Sequence, residues 1–137
     1  RYIDHYHGPE RRIHPEEAIE AILAGGGIPV LAHGPFGDGE QDLDKKEMLS
    51  RVERLREAGL MGVEAFYSGY AQAHQDMMLD IADRYELLVT AGSDYHGTNK
   101  LVRLGNTGNA AHGEINARLQ PFFAEAVRRS DACSGQV

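Results

Sequence analysis

The sequence predicts an α/β domain built on a parallel sheet. Three observations carry that expectation. Apolar runs at residues 28–33, 61–66 and 87–91 have the composition of strands covered on both faces. Amphipathic stretches alternate with these runs, as βαβ units require. Glycines punctuate the joints, most clearly Gly25-Gly26-Gly27, Gly59 and Gly92.

Taken in order, residues 1–14 are polar, histidine-rich and broken at Gly8-Pro9, and they read as a leader loop. His14-Pro15-Glu16-Glu17 starts a helix, because proline is harmless in the first turn and the acids suit the positive helix end. Ala18, Ile19, Ile22 and Leu23 give that helix one apolar face. The triple glycine caps it. A phosphate loop is the poorer reading, since no strand precedes the glycines and no Lys-Ser/Thr follows. Residues 28–33 (IPVLAH) form the first strand. Residues 34–44 form a loop with three glycines and four acids. Residues 45–58 form a helix with Met48, Val52 and Leu55 on one stripe. Residues 61–66 form the second strand, and Ser68-Gly69-Tyr70 turns the chain. Residues 72–85 form a helix with Met77, Met78, Ile81 and Ala82 facing in. Residues 87–91 form the third strand, and 92–109 a loop. Residues 114–129 form the closing helix, with Ile115, Leu119, Phe122, Phe123, Ala126 and Val127 as its apolar set. A polar tail takes up 130–137.

Composition narrows the function. The chain has 137 residues, 42% of them apolar, which suits one domain with a real core. Fourteen Lys and Arg against 21 Asp and Glu leave a net charge of −7. That balance argues against a broad basic face for nucleic acid, though not against a nucleotide held through metal ions. A single cysteine, Cys133, excludes an internal disulfide and a cysteine-based zinc site, and it predicts a reducing, cytoplasmic compartment. No apolar run approaches the roughly 18–20 residues of a membrane span, and no secretory pattern is present, so no membrane partner is expected. The chain opens on Arg1, and three strands make a thin sheet with two open edges. Both features predict a piece of a longer protein whose exposed edges invite self-association.

In parallel α/β folds the chemistry gathers at the carboxyl ends of the strands. The first strand delivers His33 there. The second carries Glu64, with Tyr67 just after. The third runs into Ser93-Asp94-Tyr95-His96-Gly97. If the chain stays extended, Asp94 and His96 point to the same side and can grip one cation with His33. Two imidazoles and a carboxylate suit Zn²⁺, Mn²⁺ or Fe²⁺ better than Ca²⁺. Spacing alone leaves open whether these are ligands or ordinary hydrogen-bonded turn residues. Glu64 interrupts an apolar strand, so it is either partnered inside or at the rim, where it fixes the strand end behind the ligands. Lys100 stands four residues past His96 and could meet a phosphate or simply face solvent. His5 and His7 read as surface residues of the leader. His14 lies at a helix start, His74 on an exposed helix face and His112 in a glycine-rich loop.

Three strings then carry a family likeness. Ile28-Pro29-Val30-Leu31-Ala32-His33, Gly62-Val63-Glu64-Ala65-Phe66-Tyr67 and Thr90-Ala91-Gly92-Ser93-Asp94-Tyr95-His96-Gly97 resemble the PHP (polymerase and histidinol phosphatase) family over residues 15–105. The resemblance implies a portion of a distorted, seven-stranded parallel (β/α) barrel, the C-terminal part, filling 15–129. It implies metal-dependent hydrolysis of a phosphoester, with a phosphorylated small molecule or a nucleotide as substrate. The rim of such a barrel holds two or three divalent ions (Mn, Zn or Fe), and His33, Asp94 and His96 match its late-chain ligands. Glu64 matches a recurrent acid of the family that is not counted among the ligands. Two departures stand out. Gly34 separates His33 from Pro35, where the family has proline at once, and Tyr70 replaces a histidine common in close relatives. The opening His-x-His and early acidic ligands of the family have no convincing match here. The missing N-terminal part of the same domain is therefore an expected partner, and the chain alone should show little catalysis. Two alternatives remain: a non-catalytic PHP module of a larger polymerase, and an α/β binding domain with an incidental metal.

Overall fold

The computed structural model describes residues 13–36, 42–99, 101–108 and 112–134. Four helices and three strands alternate: α1 (Pro15–Ala24), β1 (Val30–Leu31), α2 (Lys45–Glu57), β2 (Gly62–Tyr67), α3 (Gln72–Tyr85), β3 (Leu88–Gly92) and α4 (His112–Ser134). The sheet is parallel, in the order β1-β2-β3, so β2 is its centre. The expected α/β class is present, as a three-stranded parallel sheet.

Each helix starts and stops for a local reason. Pro15 opens α1 behind an extended His14, and Gly25 with a left-handed Gly26 ends it. Asp44 caps α2 through a reciprocal box: its carboxylate accepts from the Glu47 amide at 2.8 Å, and the Glu47 carboxylate accepts from the Asp44 amide at 3.1 Å. α3 has no side-chain cap at its start and ends on Glu86 in the left-handed region, at φ 53°. That conformation favours glycine. Glu86→Gly is therefore expected to stabilise the chain by about 1 kcal/mol, read as a higher urea midpoint at unchanged slope.

The core lies where helices meet the central strand. Val63, Ala65 and Phe66 of β2 are fully buried against Met48 and Val52 of α2 and Met78 and Ile81 of α3. Ile19, Val89 and Ile115 extend this core into α1, β3 and α4. α4 is pinned by Arg129, whose guanidinium donates to the Gly27 carbonyl at 2.7 Å and to Glu125. Hydrogen bonds from Arg128 and Arg129 hold the Glu125 carboxyl well below the usual carboxylate range, at about 2.

Four local expectations need correction. β1 is two residues long, not six, because the chain leaves the ladder after Leu31 and turns at a left-handed His33. α4 continues to Ser134, where composition predicts a polar tail from residue 130, and His112 is its first residue rather than part of a loop. Phe123 and Val127 of its apolar set are exposed, at 54% and 61%, since only part of that face rests on the sheet. No helix among the described residues is long and apolar enough to cross a membrane. His5, His7 and Lys100 lie outside the described residues.

Candidate metal and phosphoryl site

The site forms at the carboxyl ends of the strands, and backbone geometry explains how. A bulge between Glu64 and Phe66 shifts the register of β2 against β3, so Phe66 pairs with Ala91 and Tyr67 with Gly92. The end of β2 thereby stands beside Ser93 and Asp94, and the Ser68 hydroxyl donates to the Ser93 carbonyl at 3.1 Å. His33 and Asp94 both adopt φ 51°, a left-handed conformation that histidine and aspartate tolerate better than most residues. The extended path expected through Asp94 is thus replaced by a turn. The turn still leaves Asp94 close to His96, through the backbone rather than through a shared strand face.

Four side chains follow one another across the strand ends. Glu64 Oε2 accepts the His33 amide at 3.1 Å. The same oxygen lies 3.1 Å from His33 Nδ1, out of line for a hydrogen bond, so Nδ1 is a buried nitrogen without a hydrogen-bond partner. His33 Nε2 faces Asp94 Oδ1 at 3.6 Å, and His96 Nδ1 faces that oxygen at 3.4 Å. His96 Nδ1 also lies 2.7 Å from the Asp94 carbonyl. A carbonyl only accepts, so this contact makes Nδ1 the protonated nitrogen and leaves Nε2 with the lone pair. The Glu64 carboxylate beside Nδ1 of His33 favours the same tautomer there, with the lone pair turned to Asp94.

Electrostatics agree with this order. Burial pushes the Glu64 carboxyl up, the His33 amide and ring pull it down in part, and the Asp94 charge adds to the rise. Gly92 makes room for the group, because a Cβ there would overlap Glu64 Oε1. Among the described residues no set of three His, Cys, Asp or Glu side chains is disposed to enclose an ion. The three expected ligands form a row about Asp94 rather than a cage. The donor chemistry nonetheless fits a borderline divalent cation, with a carboxylate between two imidazoles and an acid behind the first of them.

An aromatic cluster beside His33 was not foreseen. The Tyr67 ring stands 4.5 Å from the His33 ring. Phe36 meets Tyr67, Tyr70 and His74 edge-on at 5.6–5.9 Å. Tyr70 is buried, its hydroxyl donates to the Glu64 carbonyl at 3.3 Å, and burial with the Glu64 charge keeps its phenol neutral far above the usual range. It is a packing residue. His74, expected to be exposed, is mostly covered, and its Nε2 lies 3.1 Å from Asp42 Oδ2. Asp42 in turn bridges Phe36. Only the proximity of Tyr67 to the strand end hinted at any of this.

No protein-family model matches the chain. It is 36% identical over 81 residues to a phosphoribosyl 1,2-cyclic phosphate 1,2-diphosphodiesterase from Eggerthella lenta, a match that covers 59% of this chain and 28% of that protein. Among solved structures it resembles a metal-dependent phosphoesterase from Bifidobacterium adolescentis, at TM-score 0.61 and 31% identity over 83% of this chain and 40% of that one. An amidohydrolase from Chromobacterium violaceum, with bound sulfate and no metal, shares the fold at TM-score 0.57 and 24% identity, over 77% of this chain and 37% of that one. The chain therefore spans well under half the length of each. The curated relative and the first of these structures are phosphoesterases by name, in line with the PHP resemblance of the three strings.

Proposed function

We propose that this chain is part of a PHP-type, metal-dependent phosphoesterase and supplies part of its metal site. The observation that carries the reading is the row Glu64–His33–Asp94–His96 at the strand ends, where each neighbour stands within 3.6 Å of the next. The likeness to phosphoesterases over much of the chain supports it. In this reading the three-stranded sheet is a portion of a larger (β/α) barrel, and residues 15–129 belong to that barrel.

Each residue has a task. His33, Asp94 and His96 hold a divalent cation. Glu64 accepts the His33 amide and sets its charge beside Nδ1, which favours the tautomer protonated there. When bound, the cation supplies Lewis-acid polarisation of a phosphoryl group. The protein keeps its own carboxylates from repelling an anionic substrate in two ways. Glu64 is withdrawn into the core, and Asp94 is engaged between two imidazoles. The substrate is a phosphomonoester or a nucleotide-type ester, and Mn²⁺, Zn²⁺ and Fe²⁺ suit the donor set.

Titration of the chain with Mn²⁺ or Zn²⁺ by calorimetry tests the reading. Saturable binding is expected. Turnover of phosphate esters by the chain alone is expected to be slow, since in this reading the chain supplies only part of the metal site. A chain that binds neither ion at millimolar concentration would end the proposal.

A further inference from the structure

Among the described residues, Tyr67 is the phenol whose ring packs directly on the His33 imidazole, and no hydrogen bond commits its hydroxyl. Its ring packs on the His33 imidazole at 4.5 Å and edge-on to Phe36 and Tyr70. Three features hold the ring in place. Tyr67 ends β2, where it pairs with Gly92 of β3. Gly69 leaves the space the ring occupies, because a Cβ there would crowd Cε1 at 2.6 Å. The returning loop passes close over its backbone, since a Cβ at Gly108 would meet the Tyr67 carbonyl at 2.9 Å. The side chain is only partly buried, and its hydroxyl has no hydrogen-bond partner among the described residues. The contrast with two other tyrosines is informative. Tyr70 gives its hydroxyl to the Glu64 carbonyl, and Tyr85 gives its hydroxyl to Glu53. A rigid ring with an unspent donor, next to the imidazole of His33, suits recognition of an oxyanion.

We propose that Tyr67 contacts the substrate, its hydroxyl donating a hydrogen bond to a non-bridging oxygen of a phosphoryl dianion held at the His33–Asp94–His96 row. The inference rests on the metal-site reading above and adds the group that reads the anion. A neutral donor is well suited to this place. It attracts phosphoryl oxygens without competing for the cation, and it adds no charge beside Glu64 and Asp94.

The test uses the whole chain, Mn²⁺ and inorganic phosphate, with Tyr67→Phe and Tyr85→Phe as variants. Tyr67→Phe keeps the ring against His33 and removes only the hydroxyl. Tyr85 lies at the far end of α3, away from the site, and serves as the control. Mn²⁺ affinity is measured first, then phosphate affinity of the Mn²⁺-loaded chain. Tyr67→Phe is expected to bind Mn²⁺ as the parent does and phosphate about tenfold more weakly, the loss typical of one hydrogen bond to a charged group. Tyr85→Phe is expected to match the parent in both. Equal phosphate affinity in Tyr67→Phe and the parent would overturn the proposal and leave the metal site standing. Loss of Mn²⁺ binding in Tyr67→Phe would also overturn it, by making the residue a support for His33. A parent chain that binds no Mn²⁺ would instead overturn the metal-site reading, and this inference with it.

Discussion

Replacing Asp94 by Asn is expected to lower the divalent-metal affinity of the chain by at least about 100-fold, since even residues behind the ligands are worth 10–100-fold. Stability is expected to stay within about 0.5 kcal/mol of the parent. Asparagine is the informative choice because Asp94 sits at φ 51°. Asn tolerates that region, whereas Ala adds a backbone cost of about 1 kcal/mol and blurs the result. Removing the charge also relieves the rise of the Glu64 carboxyl, to which Asp94 contributes. What Asn cannot replace is the anionic oxygen between His33 Nε2 and His96 Nδ1. Calorimetric titration with Mn²⁺ beside urea unfolding reads both quantities. An Asn variant that binds as tightly as the parent would remove Asp94 from the site. His33→Ala should lose binding too, with the added cost of alanine at its own left-handed φ of 51°.

Residue pattern predicts most of the framework because periodicity and glycine stops are local. The α3 helix matches its predicted range of 72–85 because its apolar stripe lies in sequence. Glu64 was conspicuous for a similar reason: a carboxylate inside an apolar strand must find a partner, and the His33 amide is that partner. The failures have a common cause. Apolar composition extends β1 too far because it says nothing of the left-handed turn at His33. The same hidden torsion at Asp94 turned an expected strand continuation into a bend. His74 reads as exposed in the sequence because its cover, Phe36 and Asp42, comes from a loop more than thirty residues earlier. Tyr67 and Tyr70 met Phe36 for reasons of tertiary packing that no spacing rule encodes. The residue types of the candidate ligands are thus more legible than the backbone that presents them. Ligand chemistry is a property of residue type, and presentation depends on φ values and on neighbours distant in sequence.

Gly92→Ala is the second large effect expected, and it acts without touching a ligand. A Cβ at this position would overlap Glu64 Oε1. In a solvent-exposed glutamate such an overlap is relieved by swinging the carboxylate away. Glu64 is buried, and its other oxygen already accepts the His33 amide at 3.1 Å. Any swing that clears the new methyl breaks that bond and leaves a buried amide and a buried carboxylate without each other. A loss of about 1–3 kcal/mol in stability is expected for such a separation. His33 then loses the group that orients it, and metal affinity is expected to fall about 10–100-fold, the usual consequence of removing an acid behind a ligating histidine. Urea unfolding and Mn²⁺ titration of the same preparation measure the two effects. A variant with parental affinity would show that Glu64 does not orient His33. Adding Glu64→Asp shortens the side chain by one methylene and withdraws it from the methyl. The shorter acid no longer reaches the His33 amide, so the double variant is expected to regain neither stability nor metal affinity. Recovery of both would mean that the cavity above Gly92, rather than the contact between Glu64 and His33, sets the geometry of the site.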